Sequence, residues 1–115
     1  MSEEPALRYV YVAGKYSNGN PMHNIREALR AADRLLDAGL VPFVPHLTGV
    51  WDMVSARAYE SWLAYDLQWV ARCDCVLRMP GKSAGADREV ACAERLGLPV
   101  FYSTDGLLRA AGCAQ

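Results

Sequence analysis

The sequence predicts an α/β fold: a three-layer sandwich of Rossmann-like or flavodoxin-like type, with helices on both faces of a parallel sheet of four to five strands. Two observations carry this. Short runs of β-branched and aromatic residues alternate with longer amphipathic stretches along the chain, and glycine or proline punctuates the changes. Such alternation implies crossover connections, which produce parallel strands covered on both faces. At 115 residues and 52% apolar composition, residues 1–115 are expected to form one domain around one core.

The first strand is "RYVYVAG", Arg8 to Gly14, closed by a glycine that opens a turn-rich loop. Asn20 is a ready N-cap and Pro21 fits a first helical turn, where its missing N–H costs nothing. Ile25, Leu29, Ala32 and Leu36 then recur at helical spacing, and Gly39 supplies the stop. The second strand, "LVPFVPH", carries two prolines that cannot donate to a ladder, which predicts an edge position with His46 at its C-terminal end. After a loop holding Trp51, residues 55–72 read as one helix with Leu63, Leu67 and Val70 on an apolar stripe. "CVLRMP" is the third strand, the stretch from Gly85 to Leu96 the third helix, "LPVFY" the fourth strand and "DGLLRAAG" a short last helix.

Composition narrows the function classes. A net charge of −1 and a pI near 6.1 give no global attraction to a nucleic-acid polymer or an anionic membrane, so an anionic ligand must be met by a local site. The start lacks a basic segment followed by an apolar run, and no apolar stretch reaches bilayer-spanning length, so a cytoplasmic protein is expected. Cys73, Cys75, Cys92 and Cys113 are expected to be reduced, and the isolated Cys-x-Cys lacks the second pair of a structural zinc site. Two of Trp51, Trp62 and Trp69 are expected in the core, since aromatic residues at helical spacing are more often core than interface.

In a doubly wound sheet, ligands sit beyond the carboxyl ends of the strands. That edge is predicted to comprise Gly14 to Asn20, His46 to Asp52 and Pro80 to Glu89. The Gly-Lys-Ser at residues 81–83 is not a nucleoside-triphosphate phosphate loop, because the position that should carry the loop's first glycine is Val76, inside the strand. Ser83 and the N–H groups that follow it can still hold a single phosphate at a helix start; equally, Ser83 and Gly85 can simply shape the turn.

Two acids stand where apolar side chains belong. Glu89 shares a helical stripe with Ala86, Ala93 and Leu96, in a first turn where the helix dipole favours the ionised form and burial opposes it. A poorly hydrated carboxylate suits attack on a sugar carbon. Asp66 lies between Trp62 and Trp69, where desolvation would favour the protonated form and a general-acid role. The structural alternative for each is a helix cap or an ion pair with an arginine.

Together, "YVAGKYS", "YDLQWVARCDCVL" and "PGKSAGADREVACA" resemble the nucleoside 2-deoxyribosyltransferase superfamily from about Tyr9 to Tyr102, and its small bacterial and phage members in particular. The superfamily also includes 2'-deoxynucleoside 5'-monophosphate N-glycosidases. The resemblance implies that Glu89 attacks the anomeric carbon, that Asp66 assists, and that Tyr11 and Gly14 are the aromatic and glycine ending the first strand. Ser83, six residues before Glu89, occupies the position where the monophosphate hydrolases carry a phosphate-binding serine and the transferases an acid.

The implied function is cleavage or exchange of an N-glycosidic bond in a (deoxy)nucleoside 5'-monophosphate, with no metal or organic cofactor. Glu89, Asp66 and Tyr11 form the catalytic set; Gly14, Lys15, Ser17, His46, Trp51, Ser83 and Gly85 hold the substrate. The partner is a small nucleoside or nucleotide, and the superfamily's habit implies a homodimer or higher homo-oligomer. The family's Leu-Gly after the glutamate is replaced by Val90 and Ala91, and Lys15, Tyr16 and Ser17 replace its usual first-loop residues, which leaves open a nucleotide-binding module without turnover. "PGKSAGADREV" is also similar to the loop of cytokinin-type phosphoribohydrolases, but Ala86 stands where those enzymes have threonine.

Overall fold

A computed structural model describes residues 6–113. Four strands, β1 (Tyr9–Ala13), β2 (Val41–Phe43), β3 (Cys75–Arg78) and β4 (Val100–Phe101), form one wholly parallel sheet in the order β2-β1-β3-β4. The expected α/β class, parallel sheet and edge position for the proline-bearing second strand are all present. Five helices flank the sheet: α1 (Pro21–Asp37), α2 (Thr48–Val54), α3 (Tyr59–Arg72), α4 (Ala84–Arg95) and α5 (Thr104–Ala110).

Strand alternation divides the core. Val10, Val12, Cys75 and Leu77 face one way and pack on Ala28, Ala31 and Leu35 of α1 and Leu107 and Leu108 of α5. Tyr11, Ala13 and Val76 face the other way, against Val70 of α3 and Ala86, Cys92 and Ala93 of α4. The strand order turns back at β1, whose sequence neighbour β2 lies on one side and β3 on the other, so a crevice opens beyond the ends of β1 and β3.

Several expectations are corrected. The buried face of α1 is Asn24, Ala28, Ala31, Ala32 and Leu35, one residue out of phase with the predicted stripe, and Leu29 and Leu36 are exposed. Alanines let the helix lie close on the sheet, while the larger leucines project outward. Residues 55–72 do not form one helix: Trp51 lies on α2 rather than in a loop, and the chain leaves the helix at Ser55 and is extended at Ala58 before α3 begins. The break is fixed by Asp52, whose Oδ1 accepts the Arg57 backbone N–H at 2.8 Å and the Trp62 indole N–H at 2.7 Å. Leu96 is the C-cap of α4 and exposed, outside the buried stripe.

No tryptophan is fully buried: Trp51 and Trp69 are exposed and Trp62 is half-buried. They join in a surface aromatic cluster. Trp51 meets Trp62 and Tyr65 edge-on, and Trp69 stacks on Phe43, which stacks in turn on buried Tyr11. No described helix is long and apolar enough to cross a membrane.

Candidate functional site

A cavity of about 670 Å³ opens beyond the ends of β1 and β3. Its floor carries Asp66 from α3 and Glu89 from α4, and its walls come from the β1–α1 loop, α2 with its connection to α3, and the β3–α4 loop. A volume of this order is typical of small-molecule sites.

The loops are cross-braced. Asn24, buried on α1, donates from Nδ2 to the carbonyls of Tyr16 and Asn18 at 2.8 and 2.9 Å. Asn18 in turn donates to the Lys82 carbonyl at 2.8 Å, joining the first loop to the third. Arg78, at the end of β3, donates to the carbonyls of Met79 and Gly81 and pairs with Asp87 of α4 at 3.1 Å. Ser83 caps α4, its Oγ accepting the Ala86 N–H at 3.0 Å. These bonds set the height of α4 and hence of Glu89, in its second turn.

Glu89 is buried, with 6% of its surface exposed, and Oε2 accepts a 2.5 Å hydrogen bond from the Tyr11 hydroxyl. Because Tyr11 and α4 share one face of the sheet, this contact follows from strand alternation. Burial pushes the Glu89 carboxyl up to about 7; the Tyr11 bond opposes the rise, the Asp66 charge adds to it and the Arg78 charge lowers it. Asp66, 8% exposed, has a buried Oδ1 without a hydrogen-bond partner among the described residues, and burial pushes its carboxyl up to about 7 as well. Burial, then the charges of Glu89 and Asp66, raise the Tyr11 phenol above its ordinary value and keep it a donor.

His46 is buried on a single 3-10 turn, Pro45–Leu47, and its Nε2 lies 3.1 Å from the Lys15 carbonyl. A carbonyl can only accept, so Nε2 carries the proton and Nδ1, unpartnered among the described residues, is an acceptor. Burial lowers the His46 pKa and keeps the ring neutral. Gly14 packs closely beside it: a Cβ there would stand 3.2 Å from the Met79 Cβ and 3.4 Å from the imidazole.

Of the residues expected at the ligand, Gly14, Ser17, His46, Asp66, Ser83, Gly85 and Glu89 line the cavity, and Tyr11 reaches Glu89 from the sheet. Two do not line it. Lys15 lays its aliphatic stem over Gly81 and borders a smaller recess with His23 and Glu27. Trp51 turns to its aromatic neighbours. Gly85 serves a steric role as well, because a Cβ there would stand 3.0 Å from the Tyr59 hydroxyl. Tyr16, Asn18, Asp52 and Lys82 also line the cavity, within the predicted edge, whereas Arg57, Tyr59, Trp62 and Leu63 line it from outside that edge. Asn24, which braces the loop behind them, had a visible signal: it is the polar member of an otherwise apolar 24/28/31/35 stripe.

A family model described as a domain of unknown function, DUF7768, matches residues 8–103, from the start of β1 past the end of β4. The chain belongs to the DUF7768 family. The matched span contains both carboxylates, Tyr11 and all three walls, so the whole cavity lies within it. A solved 2-deoxyribosyltransferase from the psychrotolerant bacterium Bacillus psychrosaccharolyticus, described as a biocatalyst for the synthesis of antiviral and antitumoral nucleosides, is similar to this DUF7768 chain. Its TM-score is 0.62 at 21% identity, over 80% of this chain and 69% of that one. At that identity the likeness establishes a shared Rossmann-like fold. No curated protein matches the sequence.

Proposed function

We propose that this DUF7768 protein cleaves or exchanges the N-glycosidic bond of a (deoxy)nucleoside 5'-monophosphate through a covalent glycosyl-Glu89 ester. The observation that carries the reading is the pair on the cavity floor: Glu89 with one oxygen bonded by Tyr11, and Asp66 with an unpartnered buried oxygen. The fold shared with a 2-deoxyribosyltransferase and the motif resemblance support the same chemistry.

Two interacting acids that both titrate near 7 hold about one proton between them at neutral pH. The Tyr11 hydrogen bond favours the charge on Glu89, leaving the proton to Asp66. Glu89 Oε1, free of Tyr11, attacks C1' as the C1'–N bond breaks; the bond pair goes to the base nitrogen, which takes the Asp66 proton. Water then attacks C1' and gives its proton to Asp66, releasing the sugar and restoring Glu89. A second base in place of water completes an exchange instead. Ser17, Ser83 and the N–H groups at the start of α4 bind the phosphate.

The test is release of free base from a panel of nucleosides and 5'-monophosphates by wild-type protein and Glu89→Ala. Loss of release in Glu89→Ala supports the reading, and equal turnover by the two proteins excludes Glu89 as nucleophile. Binding without product on any nucleotide would leave a sensing module with the same pocket. Self-association belongs to this reading too: Leu47, Val50, Met53 and Val54 expose apolar surface beside the cavity mouth. Sedimentation velocity of a dimer supports it, and a monomer at all concentrations removes it.

A further inference from the structure

We infer that Arg57 and Lys82 form the anion-recognition end of the cavity and hold the phosphate of a phosphorylated substrate, so that Arg57 is a specificity-determining residue. This rests on the nucleotide reading above. Five charged side chains line the cavity apart from neutral His46: Asp52, Asp66, Glu89, Arg57 and Lys82. Asp52 is satisfied by Trp62 and the Arg57 N–H, and Asp66 and Glu89 share the floor. Neither cation has an acid partner among the described residues, and of the described lysines and arginines without one they are the two that line this cavity.

Arg57 and Lys82 both line the cavity, each just before one of two helices that are joined near their starts. Arg57 stands just before α3, whose first turn is latched to the first two turns of α4: Glu60 pairs with Arg88 at 3.1 Å, and the Tyr59 hydroxyl sits against Gly85. Lys82 stands just before α4, its carbonyl held by Asn18. The Arg57 guanidinium is oriented by its own neighbours, lying 6.0 Å from the centre of the Trp62 ring, whose indole Asp52 pins in turn. A planar guanidinium beside an aromatic ring, its donors unused among the described residues, suits bidentate contact with a phosphate. The Asp66–Glu89 pair on the floor marks the opposite need, since two carboxyls suit the hydroxyls or N–H groups of a neutral moiety and not a second anion. One ligand meeting both requirements has a neutral, hydroxyl-bearing reactive part and a dianionic tail, as a nucleoside monophosphate does.

The experiment measures binding of a deoxynucleoside and its 5'-monophosphate by calorimetry in the Glu89→Ala protein, where turnover does not interfere. Adding Arg57→Ala is expected to weaken the monophosphate about tenfold or more while leaving the nucleoside within about twofold, with Arg57→Lys in between. Thermal melts and retained nucleoside binding show that the variants are folded. Equal losses for both ligands, no loss for either, or a phosphate-specific loss from Lys15→Ala and none from Arg57→Ala would overturn the inference. Base release from nucleosides without phosphate discrimination would overturn it while leaving the glycosidic chemistry standing. Failure to bind any nucleotide would overturn both.

Discussion

The Tyr11 hydroxyl donates to Glu89 Oε2 across 2.5 Å, linking the third residue of the inner strand β1 to the middle of α4. One oxygen of the carboxylate is thereby fixed and the other left toward the cavity.

Tyr11→Phe removes that donor without removing the ring that stacks on Phe43. The hydrogen bond lowers the Glu89 pKa, so its loss moves the pKa further up from about 7. The acid limb of the base-release profile is expected to shift to higher pH by about one unit, with activity at pH 6 falling about tenfold. An unchanged limb would show that Tyr11 does not set the ionisation of Glu89.

Asp66 makes stability pH-dependent. Its carboxyl titrates near 7 in the folded protein and in the usual carboxylate range when unfolded. Between about pH 4 and 7 the native state therefore holds a proton that the unfolded state has released, and stability falls as pH rises through this window. Asp66→Asn removes the effect and also relieves the charge on Glu89. It should stabilise the protein relative to wild type by on the order of 2 kcal/mol more at pH 8 than at pH 4, read by urea unfolding at both. A pH-independent difference would contradict the buried, unpartnered state of this acid.

Arg78→Met removes three contacts that shape the β3–α4 loop, with the carbonyls of Met79 and Gly81 and with Asp87. Stability is expected to drop by about 1–3 kcal/mol. The Glu89 pKa should rise, because Arg78 is the cation that lowers it. A stability loss with an unaltered pH profile would confine Arg78 to the loop.

Much of this architecture was legible because strand length, proline content and capping signals are local. Asn20 caps α1 with its own side chain, as its place before Pro21 implies, and in the structure Ser83 and Ser103 cap α4 and α5 in the same way. Glu89 was legible because an acid on an alanine stripe violates the helical pattern, and it is buried. What escaped depends on contacts between distant segments. The phase of α1 was ambiguous because two adjacent frames both read as apolar, and only close packing on the sheet selects the alanine frame. The 55–58 break depends on Asp52 reaching forward to Arg57 and Trp62, and no local propensity announces it. Lys15 was assigned to the ligand by its loop, yet its stem is drawn over Gly81, whose φ of 113° suits a residue without a side chain.

Gly49→Ala tests whether the cavity wall depends on a tyrosine seated on a glycine. A Cβ at position 49 would occupy the space of the Tyr16 ring end, and Tyr16 is partly exposed and free to swing away. The substitution is therefore expected to cost less than about 1 kcal/mol of stability while displacing Tyr16 from the cavity it lines. Nucleotide affinity should fall in Gly49→Ala and in Tyr16→Ala by similar factors, and the double variant should lose no more than either single one, because both act through the same ring. Additive losses in that cycle would mean that α2 contributes to the ligand site independently of Tyr16.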